Sequence, residues 1–413
     1  MKGFRSNCNN INGNESKIDY RFKNRRIFNG KAIFRKMLLI LSTIIYNIVG
    51  KLFGLFSLIF SSKDKRTINK IVFLGFGGIG NHLMLKPSID SLKKNSPELK
   101  IHLVASSNTC AEVLNGDSQI NSNSVMNIGC MHSILKYIKS GLAIRALKPD
   151  AIIAAAGTNP VGGGLISIFS GAHTRIGEDW KGRGLFYSHK IKVNLQIPEA
   201  EQNYRLVKLL NPQTEYLFPK YDLTEEERKF ANRWKDKLNF SENSKLLGVH
   251  PGSGKNQKWK RWKLENFIEV VKAFSKRDEI IPIIFIGPDE KELHEKLINE
   301  DLCGAIISME TESIRKTAAK ISCCDTFLSN DSGLRHIAAS LRIKTMAIFG
   351  PTSIKKNYFN DGRSRIIYRN NVACSPCHYT KWWLSCGEKM PCLEKITVDE
   401  VVKNVSDMLD NLI

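Results

Sequence analysis

The sequence predicts an α/β protein built from two doubly wound, parallel-sheet domains. Apolar runs of strand length recur from residue 70 onward and alternate with stretches of helical period. The alternation stops at a charged segment, TEEERKFANRWKDKL (224–238), and then begins afresh. At 413 residues with 42% hydrophobic content, the chain exceeds one typical core and can fill two.

Taken in order, KIVFLGF (70–76) reads as a buried strand, the following glycines as a turn, and HLMLKPSIDSLKKNSP as a helix ending near Pro97. KIHLVASS (100–107) and DAIIAAAG (150–157) read as further strands, the second leading into a Gly-rich turn and an apolar helical stretch. Unbroken apolar strands of this kind suit a parallel sheet covered on both faces. After the charged helix come a strand at KLLGVHPG, a helix at LENFIEVVKAFSKR and a strand at IIPIIFIG. A helix near 290–299, a strand at AIIS, a helix at SIRKTAAKIS, a strand at TFLSN, a helix at LRHIAASL and a strand at TMAIFG complete the second set. The resulting domains are 67–220 and 244–396, joined by a linker helix within 221–243. The amphipathic segment within 397–413 is expected to form a helix packed across both.

The formal charge of +22 is uneven, because residues 1–70 hold 15 Lys and Arg against 3 Asp and Glu. Residues 1–30 are polar and Asn-rich with no sustained period, which predicts a disordered basic tail. Within 31–66, the stretch MLLILSTIIYNIVGKLFGLFSLIF (37–60) is long enough for a spanning helix of ~20 residues. Lys51, two internal glycines and cations on both flanks argue instead for a segment lying in or dipping into a leaflet of anionic lipid. A single span and a helix folded on the protein stay open. Charge concentrated beside an apolar segment suits lipid better than nucleic acid, so no nucleic-acid partner is expected.

The glycines of FLGFGGIGNHLMLKP (73–87) are spaced GxGxxG, the turn of dinucleotide enzymes. Such enzymes carry an acid at the end of the second strand, and KIHLVASSNT offers none. A nicotinamide dehydrogenase is therefore disfavoured. Three later turns attract more attention. HPGSGKNQKWKRWK (250–263) follows a strand and combines backbone donors at Ser253 and Gly254 with five cations, among them Lys260, which suits a phosphate; a solvated basic loop is the plainer reading. SNDSGLRHIAAS (329–340) sets Asp331, Ser332 and Gly333 at a helix start with His336 one turn in. It can take a diphosphate while Asp331 accepts from a sugar hydroxyl, or Asp331 or Ser332 can simply cap the helix. FGPTSIKKNYF (349–359) repeats the strand-and-turn pattern.

HPGSG with its following KRW, then SNDSGLRHIAAS and AIFGPT, resemble glycosyltransferase family 9, the heptosyltransferases of the lipopolysaccharide inner core. RIGEDW, SHKI and the Asn203 region extend the likeness, which covers roughly residues 68–405. The resemblance implies two Rossmann-like domains in the GT-B arrangement, an ADP-heptose-like nucleotide-sugar donor held by the second domain, and a lipid-linked glycan acceptor approached by the first. It further implies inversion without a catalytic metal or other cofactor, and a protein at the cytoplasmic face of the membrane. No DxD spacing occurs in the chain. By resemblance, Lys260 neutralises the donor diphosphate, Ser253 and Gly254 belong to the hydroxyl-bearing loop, and Asp331 touches the donor sugar. Ser332, Gly333 and His336 underlie the diphosphate. The loop before Lys260 is about three residues longer than the family pattern.

An inverting transfer needs a base for the acceptor hydroxyl. The family's base is an aspartate six residues before a proline, and counting back from Pro87 reaches Asn81. An amide accepts no proton near neutral pH. The adjacent His82, another residue, or the acceptor's own phosphate are the alternatives, together with a catalytically impaired protein that binds sugar nucleotide or anionic lipid. Cys374, Cys377, Cys386 and Cys392 open with CxxC and suit a structural zinc, although their later spacings are irregular.

Overall fold

The computed structural model describes residues 67–126, 134–238, 240–241, 243–309, 313–358, 361–378, 380, 386–387 and 389–410, all within the compact unit Lys63–Ile413. The basic tail expected over 1–30 and the membrane-associating segment expected over 31–66 lie outside the described residues. Among the described residues no helix is long and apolar enough to cross a membrane.

The first half forms a six-stranded parallel sheet from β1 (Lys70–Gly75), β2 (Lys100–Ala105), β3 (Ser122–Val125), β4 (Ala151–Ala154), β5 (Thr174–Asp179) and β6 (His189–Lys192). Helices α1 (Ile79–Asn95), α2 (Asn108–Glu112), α3 (Ile134–Arg145), α4 (Pro160–Phe169) and α5 (Glu199–Lys208) connect or flank the strands. The strand order is β3-β2-β1-β4-β5-β6, so the winding reverses between β1 and β4. Ligands of open α/β sheets bind at such reversals, outside the carboxyl ends of the strands. Here those ends carry the glycine turn and the segment Ala155–Gly157. Gly157 has φ +80, a left-handed conformation that favours glycine, and its N–H donates to Glu178 Oε2 at 2.9 Å. Asn203 of α5 accepts from Ala156 N at 2.8 Å and donates to Met84 O at 3.2 Å, tying the β4 turn to α1.

Helix α6 (Glu225–Lys237) starts at a capping box, with Thr224 and Glu227 satisfying each other's backbone N–H groups. The second sheet follows from β7 (Lys245–His250), β8 (Ile280–Ile286), β9 (Ile306–Met309), β10 (Thr326–Asn330), β11 (Lys344–Ile348) and β12 (Ser364–Ile367). Its order, β12-β11-β10-β7-β8-β9, puts the reversal between β7 and β10. Helices α7 (Leu264–Ser275), α8 (Lys291–Leu297), α9 (Ile314–Ile321), α10 (Gly333–Ser340), α11 (Ile354–Asn357), α12 (Pro391–Glu394) and α13 (Val398–Leu409) surround it. The C-terminal helix corrects its expectation. Val401, Val405, Met408 and Leu409 of α13 join the apolar core of the second domain, against α7, β10 and β11, rather than bridging the halves.

Two of the contacts between the halves shape the cleft. Arg315 of α9 donates to Val113 O at 3.2 Å and Asp222 O at 3.0 Å, pairs with Glu227, and lies over the Tyr221 ring. It thereby joins first domain, linker and second domain through one guanidinium. At the cleft floor the starts of α1 and α10 meet. A Cβ placed on Gly80 would lie 2.6 Å from His336 Cδ2, and one on Gly333 would lie 3.2 Å from Ile79 Cβ. At Gly80 a side chain would force the imidazole to shift, and at Gly333 Ile79 would have to give by a few tenths of an ångström.

A side chain at Gly80 must therefore displace the buried His336 ring or part the domains. Gly80→Val is expected to cost about 1–3 kcal/mol of unfolding free energy. Gly78→Ala, whose methyl would find nothing nearer than 3.9 Å, should cost less than about 1 kcal/mol. Urea unfolding followed by circular dichroism checks the pair.

Candidate active site

The carboxyl ends of β1, β7 and β10 border one cleft of about 640 Å³, lined from both domains. Its size falls in the range of small-molecule sites. On the second-domain wall, Asn330 at the end of β10 shapes the β7 loop. Its amide donates to Pro251 O at 2.8 Å and Gly252 O at 3.1 Å, and its oxygen accepts from Trp262 N at 2.9 Å. The buried Trp262 indole in turn donates to Ile396 O at 3.2 Å. The basic loop is therefore pinned at both ends, while its middle, residues 254–258, is exposed.

Lys260 closes a short 3₁₀ turn and is buried, with Nζ 3.2 Å from Asp331 Oδ2. The fully buried Asp331 also accepts from Asn357 Nδ2 at 2.9 Å and faces Arg335 at 3.6 Å. Burial alone would raise its carboxyl, yet Lys260 and Arg335 hold it well below the usual carboxylate range. Ser332 caps α10, accepting from Arg335 N at 3.4 Å and meeting His250 Nδ1 at 3.0 Å. Gly333 opens that helix and lines the cleft. Arg335 donates to His336 Nε2 at 2.7 Å; burial first, then the guanidinium, hold the imidazole far below its ordinary value and so neutral. Ser253 lines the cleft beside Gly254, but its hydroxyl is engaged within the loop, donating to Gln257 O at 2.9 Å and accepting from Arg261 Nε at 3.0 Å.

On the first-domain wall, Asn81 lines the cleft and caps its own helix. Its Oδ1 accepts from Gly78 N at 2.8 Å, which turns Nδ2 toward Glu199, where it donates to Oε1. His82 points the other way. Its Nδ1 lies 3.0 Å from Gly78 O, and its Nε2 is directed at Gly75, behind the turn. Burial lowers its pKa, and the ring lies outside the cleft lining.

Several cleft residues escaped the sequence reading. Glu290 accepts from Ser253 N at 2.8 Å and Gly287 N at 2.9 Å, and meets His250 Nε2 at 3.1 Å. A Cβ on Gly252 would fall 1.8 Å from Glu290 Oε1, which explains the glycine after HP. Lys356 reaches Glu199 Oε2 at 3.4 Å, and Asn357 holds Asp331. His378, from the cysteine-rich loop, stacks at 5.1 Å on Trp259 and joins the lining; burial and Lys260 push its pKa down to about 4. The HPG triplet pointed toward His250, and the turn FGPTSIKKNYF (349–359) contained Lys356 and Asn357, while nothing in the sequence marked Glu290 or His378.

Among the loop cysteines, Cys377 and Cys392 are buried, while Cys374 and Cys386 are half-buried. Burial, with the neighbouring Cys374, Cys377 and Cys386, pushes the Cys392 thiol up to about 11. Among the described residues no group of three or more His, Cys, Asp or Glu side chains is arranged to hold a metal ion.

Two doubly wound sheets sharing a polar cleft at their winding reversals define a two-domain α/β fold suited to a nucleotide-bearing ligand. Residues 141–382 match the profile of glycosyltransferase family 9 (heptosyltransferase), and the chain belongs to that family. A lipooligosaccharide heptosyltransferase 2 of Campylobacter jejuni is 27% identical over 186 residues, 44% of this chain and 56% of that protein. The match thus spans little more than half the length of that curated relative. The solved glycosyltransferase family 9 structure from Veillonella parvula superposes with a TM-score of 0.70 at 18% identity, covering 85% of this chain and all of that one (100%). The Escherichia coli ADP-heptose lipopolysaccharide heptosyltransferase II does so at 0.64 and 20% identity, covering 83% and 99%. These structures share the GT-B fold of two Rossmann-like domains.

The Glu290 network generates a pH signature. Burial opposes ionisation, but His250, the backbone donors and Arg261 pull its pKa from 4.5 to about 2. A depressed folded-state pKa contributes stability that is complete above the unfolded value and vanishes as pH falls through the folded one. Replacing Glu290 by Gln should therefore cost up to about 3 kcal/mol at pH 6. The difference from wild type should narrow between pH about 4.5 and about 2, as read by urea unfolding at each pH.

Proposed function

We propose that this chain is a glycosyltransferase that moves a sugar from a nucleotide-sugar donor of the ADP-heptose type onto a lipopolysaccharide-core or related lipid-linked glycan. Transfer inverts the anomeric carbon, and no metal or other cofactor takes part. The observation that carries the reading is the buried Lys260–Asp331 pair set beside the amide-bearing start of α10, inside a cleft shared by both domains. Relatives named for heptose transfer to lipooligosaccharide or lipopolysaccharide support the donor and acceptor classes.

In this reading the donor diphosphate lies against α10, where unsatisfied backbone N–H groups and Lys260 meet its charge. Asp331 accepts from a hydroxyl of the donor sugar. The acceptor enters along the first-domain wall, between the glycine turn and α5, and the closed domains set its hydroxyl in line with the anomeric carbon. Charge that develops on the departing ADP is stabilised by the same preorganised donors. The basic, apolar segment before residue 67 would keep the enzyme on the cytoplasmic face of the membrane, where a lipid-linked acceptor is presented. A second reading, a sugar-nucleotide or anionic-lipid binding protein without catalysis, rests on one observation, the amide of Asn81 in the cleft wall.

Titration calorimetry with ADP-heptose, ADP and other sugar nucleotides tests the proposal. Lys260→Ala should weaken ADP-heptose binding about 30- to 100-fold, the worth of one buried charge-assisted contact. Asp331 keeps Arg335 and Asn357, so circular dichroism should show the fold retained. Should no sugar nucleotide bind the wild-type protein, the transferase reading fails.

A further inference from the structure

Five carboxylates line the cleft, and four of them are committed or misplaced for taking a proton at the first-domain wall. Asp331 is locked between Lys260, Arg335 and Asn357. Glu290 braces the β7 loop through two backbone N–H groups and His250. Glu112 accepts from the hydroxyl of Ser313 across the domains, and Asp289 is an exposed partner of Lys255. Glu199 differs from all four. It is buried at the first residue of α5, reaches the cleft beside the glycine turn, and is held there by one amide and one ammonium.

The geometry points to Glu199 as the base that takes the acceptor hydroxyl proton, with Asn81 as the residue that positions it; the assignment rests on the transferase reading above. Asn81 has a fixed orientation, since its oxygen is used by Gly78 N and its nitrogen is left to donate to Glu199 Oε1. The other carboxylate oxygen faces Lys356 Nζ at 3.4 Å. Lys356 and Asn357 are consecutive, and Asn357 donates to Asp331. One short helix, α11, therefore joins the first-domain carboxylate to the second-domain carboxylate across the cleft. In this proposal a sugar touching Asp331 presents its reacting carbon toward Glu199. Gly157 borders the pair: a Cβ there would lie in ordinary contact, 3.7 Å from Glu199 Oε2 and 3.8 Å from Asn81 Nδ2.

The step balances without a further reactant. The acceptor oxygen forms a bond to the anomeric carbon while the bond from that carbon to the β-phosphate oxygen breaks, and the bonding pair leaves with ADP. The hydroxyl proton passes to the Glu199 carboxylate. The charged groups that surround this carboxylate are Lys356 from α11 and Glu178 from β5, the latter held by Gly157 N and Gln202.

The test uses the full chain with ADP-heptose and a lipopolysaccharide core truncated before its heptoses, following ADP release and sugar incorporation. E199Q keeps the shape and is expected to lower transfer at least 100-fold, within the range of a lost general base, while ADP-heptose affinity stays within about threefold. The double variant N81D/E199Q exchanges acid and amide across the same hydrogen bond. It should recover at least tenfold of the loss, and E199Q alone should remove the acidic limb of the transfer pH profile, which a purely structural Glu199 would leave in place. Transfer by E199Q within about threefold of wild type overturns the assignment while leaving the transferase reading standing. Wild-type protein that binds ADP-heptose yet transfers nothing to this core or to water overturns both.

Discussion

The close approach of two helix starts, α1 from the first domain and α10 from the second, is the constraint on which the rest of the cleft depends. Gly80 and Gly333 leave room for His336 and Ile79, and any Cβ at Gly80 would meet the imidazole at 2.6 Å. Because the chains come this near, Asn81 and Asp331 each stand within a residue or two of the contact and face a common space. Arg315 adds a second linkage, binding both domains and the linker. The winding reversals of the two sheets are thus brought together by steric permission at the helix starts and by a multivalent guanidinium on α9.

Electrostatics follow from that geometry. Buried carboxylates are costly unless paired, and each one in the cleft has its cation or its backbone donors. Asp331 has Lys260 and Arg335, Glu290 has His250 and Arg261, and Glu199 has Lys356. A diphosphate entering the site would share Lys260 with Asp331 rather than meet an idle cation. The same pairing keeps the empty cleft from being an uncompensated field, and it ties the α11 segment to both walls.

The central strands were legible because β1, β4, β7 and β10 are short apolar runs, covered on both faces. The edge strands β3 (SNSV), β6 (HKIK) and β12 (SRII) were not, since polar residues break their runs, whereas the edge strand β9 (IISM) was read from its apolar start. Helix α13 was legible as a helix, but not its docking, because an amphipathic face does not say which apolar surface receives it. In the cleft, Lys260 and Asp331 were reachable because each lies in a loop directly after a strand. Glu199 was not, since it is 118 residues from Asn81 and nothing in IPEAEQN marks a cleft residue. His82 looked available from its place beside Asn81, yet the first turn of α1 rotates its ring behind Gly75.

The central claim is that one ligand spans both walls of this cleft, and a crystal structure of the chain with an intact ADP-sugar analogue tests it most directly. The account predicts the diphosphate at Lys260 and the start of α10, and the sugar between Asp331 and Glu199. An analogue bound with its sugar directed away from Glu199, or seated outside the cleft, would contradict it.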